Sequence, residues 1–141
     1  MKKLKIILVL MACITLYACP SKEDGHRYIT FVNNSEREIV CQQFWSGSIT
    51  NADTLFQCRI VAMGIFANSS HNFSSASTSG WEIDFQLIPC IQYSVMDADI
   101  FYKYITKPCD TVRKYVPILH CYQLKLEDLQ RMNWTVVYPP E

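Results

Sequence analysis

Apolar and polar residues alternate without a break across Trp81-Glu82-Ile83-Asp84-Phe85-Gln86-Leu87, placing four apolar side chains on one face of an extended chain and three polar ones on the other. That spacing predicts a half-buried strand. Tyr28 to Val32, Glu38 to Phe44, Phe56 to Ala62, Ile91 to Met96, Ile118 to Leu124 and Trp134 to Tyr138 are short, rich in β-branched and aromatic residues, and bounded by turn formers. They read as six more strands. Asn33-Asn34-Ser35 offers a hairpin turn between the first two, whereas Asn68 to Gly80, rich in Ser, Asn and Thr, reads as one long loop. Helical spacing is confined to Leu126 to Met132, with two acids in its first turn, and to Thr111 to Tyr115, which Pro117 ends. The pattern therefore predicts a mainly β fold: a single antiparallel β-sandwich or small barrel with one or two short helices.

The N-terminus departs from this pattern. Met1-Lys2-Lys3-Leu4-Lys5 is a basic start, followed by an apolar stretch that runs to Leu16 and is too short for a bilayer-spanning helix of about 20 residues. Leu16-Tyr17-Ala18-Cys19 closes it, and small residues before a cysteine at that place resemble the lipobox of bacterial lipoproteins. The resemblance implies cleavage between Ala18 and Cys19 and lipid attachment at Cys19. Lys22-Glu23-Asp24, beginning three residues after the cysteine, is similar to the lysine-plus-two-acids signal that sends Bacteroidetes lipoproteins to the cell surface. The organisation expected is a signal peptide over 1–18, a lipidated polar tether over 19–27 and a β-rich globular domain over 28–141, on an outer membrane and facing outward.

Charge narrows the partners. The chain balances 13 Lys and Arg against 13 Asp and Glu, and the leader holds Lys2, Lys3 and Lys5 with no acid, so its removal leaves a net charge of −3. A mildly acidic protein lacks the basic footprint of a nucleic-acid binder. About 120 residues remain, enough for one domain that buries about two-thirds of the surface its unfolded chain exposes. Half of the residues are hydrophobic, which places the chain among globular rather than disordered proteins.

The C-terminal stretch from Ile118 to Pro139 contains an aromatic-plus-leucine strand, Leu126-Glu127-Asp128-Leu129, Asn133-Trp134 and Tyr138-Pro139. In these features it is similar to the ending of small lipoproteins from Bacteroidales. Relatives of that kind often have Ser or Thr where Lys125 stands, so the usual N-cap oxygen of the following helix is missing. The likeness implies location and fold, and no activity.

Candidate chemistry is sparse. Behind the leader lie Cys41, Cys58, Cys90, Cys109 and Cys121, an odd number that cannot all pair internally. They are disulfide candidates in an exported protein, or small buried hydrophobes. No Cys-x-x-Cys pair, Gly-x-Ser-x-Gly or glycine-rich phosphate loop is present, so no metal site, cofactor or catalytic residue is assigned. His120 and Cys121 are adjacent and face opposite sides of a strand. Asp97-Ala98-Asp99 is the best acidic pair: in an extended segment both carboxylates share a face, as an acid/base pair or calcium ligands require, although a charged turn explains them as well. Asp53-Thr54 and Asp110-Thr111, each followed by an apolar residue, resemble the O-glycosylation signal of exported Bacteroidetes proteins, making Thr54 and Thr111 candidates.

Phe44-Trp45 and Phe101-Tyr102-Lys103-Tyr104 each present neighbouring rings to opposite faces of a strand, so each can expose a ring to a glycan or protein partner. The sequence thus leads to a lipid-anchored envelope protein with a non-catalytic binding or structural role. Its alternatives are a small envelope enzyme using Asp97 and Asp99 or a cysteine, and an inhibitor or immunity-type lipoprotein.

Overall fold

The computed structural model describes residues 25–46 and 61–140. Among the described residues, seven strands and four short helices follow one another as β1 (Tyr28–Asn33), β2 (Ile39–Ser46), β3 (Ala62–Ile65), β4 (Ser69–Ser74), α1 (Trp81–Leu87), β5 (Cys90–Asp97), α2 (Ala98–Tyr104), α3 (Cys109–Tyr115), β6 (Ile118–Leu124), α4 (Leu126–Arg131) and β7 (Thr135–Tyr138). They build a three-stranded sheet, β4-β1-β7, and a four-stranded sheet, β3-β2-β5-β6. The fold is mainly β and resembles a small sandwich rather than a closed barrel. One pairing, β1 with β7, is parallel; the others are antiparallel.

Between the sheets lies the larger core. Ile29 and Phe31 of β1 and Val136 of β7 meet Cys41, Ile91, Tyr93, Val95, Tyr122 and Leu124 of the other sheet, as period-two alternation requires. Phe31 is the hub, with its ring centroid 5.4 Å from Tyr93 and 5.6 Å from Tyr122. The larger sheet also buries its second face. There Val40 and Met96 pack under Ala98, Phe101, Val112 and Val116 of α2, α3 and the turn beyond, which is why Ile91 to Met96 are all buried.

Four expectations need correction. Trp81 to Leu87 is a helix, because positions four apart satisfy period two and a helical turn alike: Trp81 and Phe85 face the core while Ile83 and Leu87 face outward. Buried Asp84 then holds the preceding loop, its carboxylate accepting from Ser75 Oγ at 2.7 Å and the Ala76 N–H at 3.0 Å. Within the expected loop 68–80, Ser69–Ser74 is an edge strand whose alternation is carried by polar residues around Phe73. Asn33-Asn34-Ser35 does turn the chain, but from one sheet to the other, since β1 and β2 do not pair. Finally, Ala98 to Tyr104 is helical rather than an aromatic strand. Of the expected strand Phe56 to Ala62, residues 56–60 lie outside the described residues.

α4 forms despite Lys125. The Asp128 carboxylate accepts the Lys125 backbone N–H at 3.0 Å and the Arg131 guanidinium at 2.6 Å, so the third helical residue ties down the helix start where the N-cap lacks a side-chain oxygen.

Candidate functional site: a cleft at one pole of the sandwich

Strand direction divides the molecule into two poles. At the N-terminal pole are residues 25–27, the loop 75–80, α1 and the start of β5; at the other are the 34–38 turn, the β3–β4 turn, the end of β5 and the start of α2.

The second pole is built on Asn33. Its amide nitrogen donates to the carbonyls of Arg37 at 2.7 Å and Ile65 at 3.0 Å, while its oxygen accepts the Ser35 N–H at 3.0 Å and Oγ at 2.6 Å. One fully buried side chain thereby ties the end of β1, the turn and the end of β3 together. Above it opens a cleft of about 350 Å³ lined by Ser35, Glu36, Arg37, Glu38, Ile39, Asp97, Leu119 and Tyr138. Three carboxylates against one guanidinium give it a net negative lining. Glu38 Oε1 accepts from Tyr102 Oη at 3.2 Å, and partial burial together with that carboxylate raises the phenol above its ordinary pKa. Asp97 belongs to the wall and also caps α2, its carboxylate accepting the Ile100 N–H at 3.0 Å.

The expected acidic pair is therefore not assembled. Asp97 sits at the cap and Asp99 in the first helical turn, exposed, so the shared face of an extended segment does not exist. His120 does not line the cleft. Its ring packs edge-on to Tyr122 with centroids 4.4 Å apart, while Cys121 points to the other face, where Ser94 stands opposite it. Burial raises the Cys121 thiol above its ordinary pKa, and the hydrogen bond with Ser94 only partly offsets this; Cys41 is raised further by burial alone. Raised pKa values disfavour the thiolate that a nucleophile needs.

Cys109 is disulfide-bonded. Cys41, Cys90 and Cys121 are thiols. Cys58, Thr54, Ala18, Cys19, Lys22, Glu23 and Asp24 lie outside the described residues, and Thr111 is half-buried in the first turn of α3. Among the described residues no group of His, Cys, Asp or Glu is arranged to hold a metal, and no helix is long and apolar enough to cross a membrane.

The aromatic candidates divide. Phe44 and Phe101 are buried, whereas Trp45 and Tyr102 are about half exposed. Tyr104 stacks on Tyr115 with centroids 5.1 Å apart, and the ammoniums of Lys103 and Lys114 lie 5.5 and 5.3 Å from these rings. Each ring of that pair thus has a neighbour within the protein, leaving less face for a sugar.

Sequence reasoning missed the 34–38 turn as a wall of this cleft. The signal was present only as a turn with alternating charge, Glu36-Arg37-Glu38. Comparison with protein-family models, with curated proteins and with solved structures finds no match.

Proposed function

We propose that the chain is a lipid-anchored protein of a bacterial outer membrane, facing outward, with a non-catalytic binding role performed at the cleft. The lipobox at Leu16 to Cys19 supports the anchor. The observation that carries the binding role is the cleft itself, negative in balance, with Ile39, Leu119 and Tyr138 as its apolar lining. Such a lining suits a protein segment that offers one basic side chain beside an apolar one, since the carboxylates meet the charge and the apolar residues the stem.

Two experiments test the reading. Cys19→Ala should move the protein from the membrane fraction to the soluble one; retention in the membrane refutes the anchor. A short lysine- and leucine-containing peptide should bind the purified protein in calorimetry, and Glu36→Lys with Glu38→Lys should weaken it at least tenfold. Equal binding by the double variant refutes the cleft as the site.

A further inference from the structure

Gly25 and His26, five and six residues beyond Pro20, do not hang free as part of the expected tether. The His26 N–H donates to Glu82 Oε2 at 2.8 Å, its Nδ1 lies 2.7 Å from Glu82 Oε1, and its carbonyl accepts the Trp81 N–H at 2.8 Å. The imidazole also stacks on Trp134, with centroids 4.2 Å apart and planes 15° from parallel. The chain is thus fastened to the first turn of α1. A Cβ on Gly25 would come within 2.6 Å of the Ser79 carbonyl oxygen, so the approach at this point is backbone on backbone.

Two exposed apolar side chains stand on the same helix. Ile83 is 39% exposed and Leu87 85%, and being four residues apart they share the outward face. Trp45 is 46% exposed near the end of β2, paired with Ile91 at the start of β5, and so belongs to the same pole. Nothing charged competes on this face of α1: Glu82 is engaged by His26, Asp84 is buried, and the last turn holds no basic residue. From Cys19 to Gly25 the chain spans at most about 20 Å when fully extended. α1 itself is about 10 Å long.

We infer that Ile83 and Leu87 of α1, with Trp45 at the same pole, form a membrane-docking surface that rests on the lipid bilayer next to the anchor. This deepens the lipoprotein reading and depends on it. A lipid at Cys19 keeps Gly25 within about 20 Å of the bilayer, and the fastening at His26 leaves α1 no freedom to swing away from that end of the chain. Ile83, Leu87 and Trp45 are apolar and α1 itself holds no basic residue, so the contact is with the interfacial and acyl region rather than with anionic headgroups, while an indole suits the boundary itself. The cleft, at the opposite pole, then points away from the membrane.

The test uses the full-length protein purified from membranes, with its intact mass measured, and reconstituted in neutral phosphatidylcholine vesicles with brominated acyl chains. Leu87→Trp adds a reporter to the patch; Phe66→Trp adds one to an equally apolar, 69% exposed position at the cleft pole. The added fluorescence of Leu87→Trp should be quenched at least twice as strongly as that of Phe66→Trp. Equal quenching in a protein whose mass includes the lipid overturns the docking surface and leaves the anchor standing. A mass without lipid overturns the lipoprotein reading and the docking surface with it. Self-association abolished by Leu87→Ser, without quenching of Leu87→Trp, assigns the patch to a second copy of the chain and also overturns the inference.

Discussion

The two poles of this sandwich are joined by different side chains. At the N-terminal pole, large rings do the joining: Trp81 is fully buried, Trp134 nearly so, and His26 lies flat on Trp134. At the cleft pole a single amide, Asn33, ties three backbone segments, and the side chains above it are charged and open to solvent. Buried rings together with the hydrogen bonds of His26 and Asp84 hold the first, and the hydrogen bonds of one amide hold the second. The indole N–H of Trp81 at the first pole is buried without a hydrogen-bond partner, a cost that the burial of the ring offsets. The second is tolerant of surface change but not of losing its one buried partner.

The largest effect that separates the two is expected at Trp134. Trp134→Ala should cost about 3–5 kcal/mol in denaturant unfolding, the usual range for emptying a buried indole site. Because Trp134 adopts φ 58, a region that burdens any residue with a Cβ, Trp134→Gly should recover about 1 kcal/mol of that loss. A glycine variant no more stable than the alanine one would show that strain plays no part. Second comes Asn33→Ala, for which about 2–4 kcal/mol is expected, because the carbonyls of Arg37 and Ile65 and the Ser35 N–H all lose the amide at once, although the Arg37 carbonyl keeps the Ser35 hydroxyl. A loss below 1 kcal/mol would mean that water replaces the amide and that the contrast between the poles is overstated.

A smaller effect depends on pH. Partial burial pushes the Glu82 carboxyl up, but the hydrogen bonds from the side chain and backbone of His26, with one from its own backbone, outweigh it and hold the group below its ordinary value of 4.5. The unfolded chain therefore takes up this proton first as pH falls. Stabilisation from Glu82 is complete above 4.5 and lost as pH drops through the lowered value. The stability gap between wild type and Glu82→Gln should accordingly close in acid, as pH drops through the lowered value; a gap that persists at pH 2 would refute this origin. Smallest of all, Glu36→Lys should change stability by less than about 0.5 kcal/mol, as surface positions do, and leave the fold intact by circular dichroism.

Most strands were legible because a buried sheet face imposes an alternation that a β-branched or aromatic residue marks at every second place, as in Ile29 and Phe31 or Tyr122 and Leu124. Where one apolar residue suffices, the mark fades: β4 buries only Phe73, so its serines read as loop. α1 failed for a different reason. Its seven residues are too few to separate a period of two from 3.6, and Asp84, polar in the pattern, turned out to face inward. Neither pole was legible as a site. The cleft joins residues from four separate places in the chain, and the role of His26 depends on Glu82 and Trp134, which lie 56 and 108 positions away in sequence. Asn33 was visible only as a turn former, since nothing in a sequence distinguishes an amide that makes its own turn from one that also binds a third segment.

The position of β1 has a mechanical consequence. It is the middle strand of its sheet, held at six registered positions by β4 and at four by β7, and it begins directly after the residues fastened to Glu82 and Trp134. A pull between Gly25 and the far end of the sandwich runs parallel to these strands, so it loads the ladder in shear and the rungs must yield together instead of unzipping in turn. Under steady force the lifetime of such a domain follows its unfolding rate rather than its equilibrium stability. A chain held at one end and gripped at the other is thus arranged along its stiff direction.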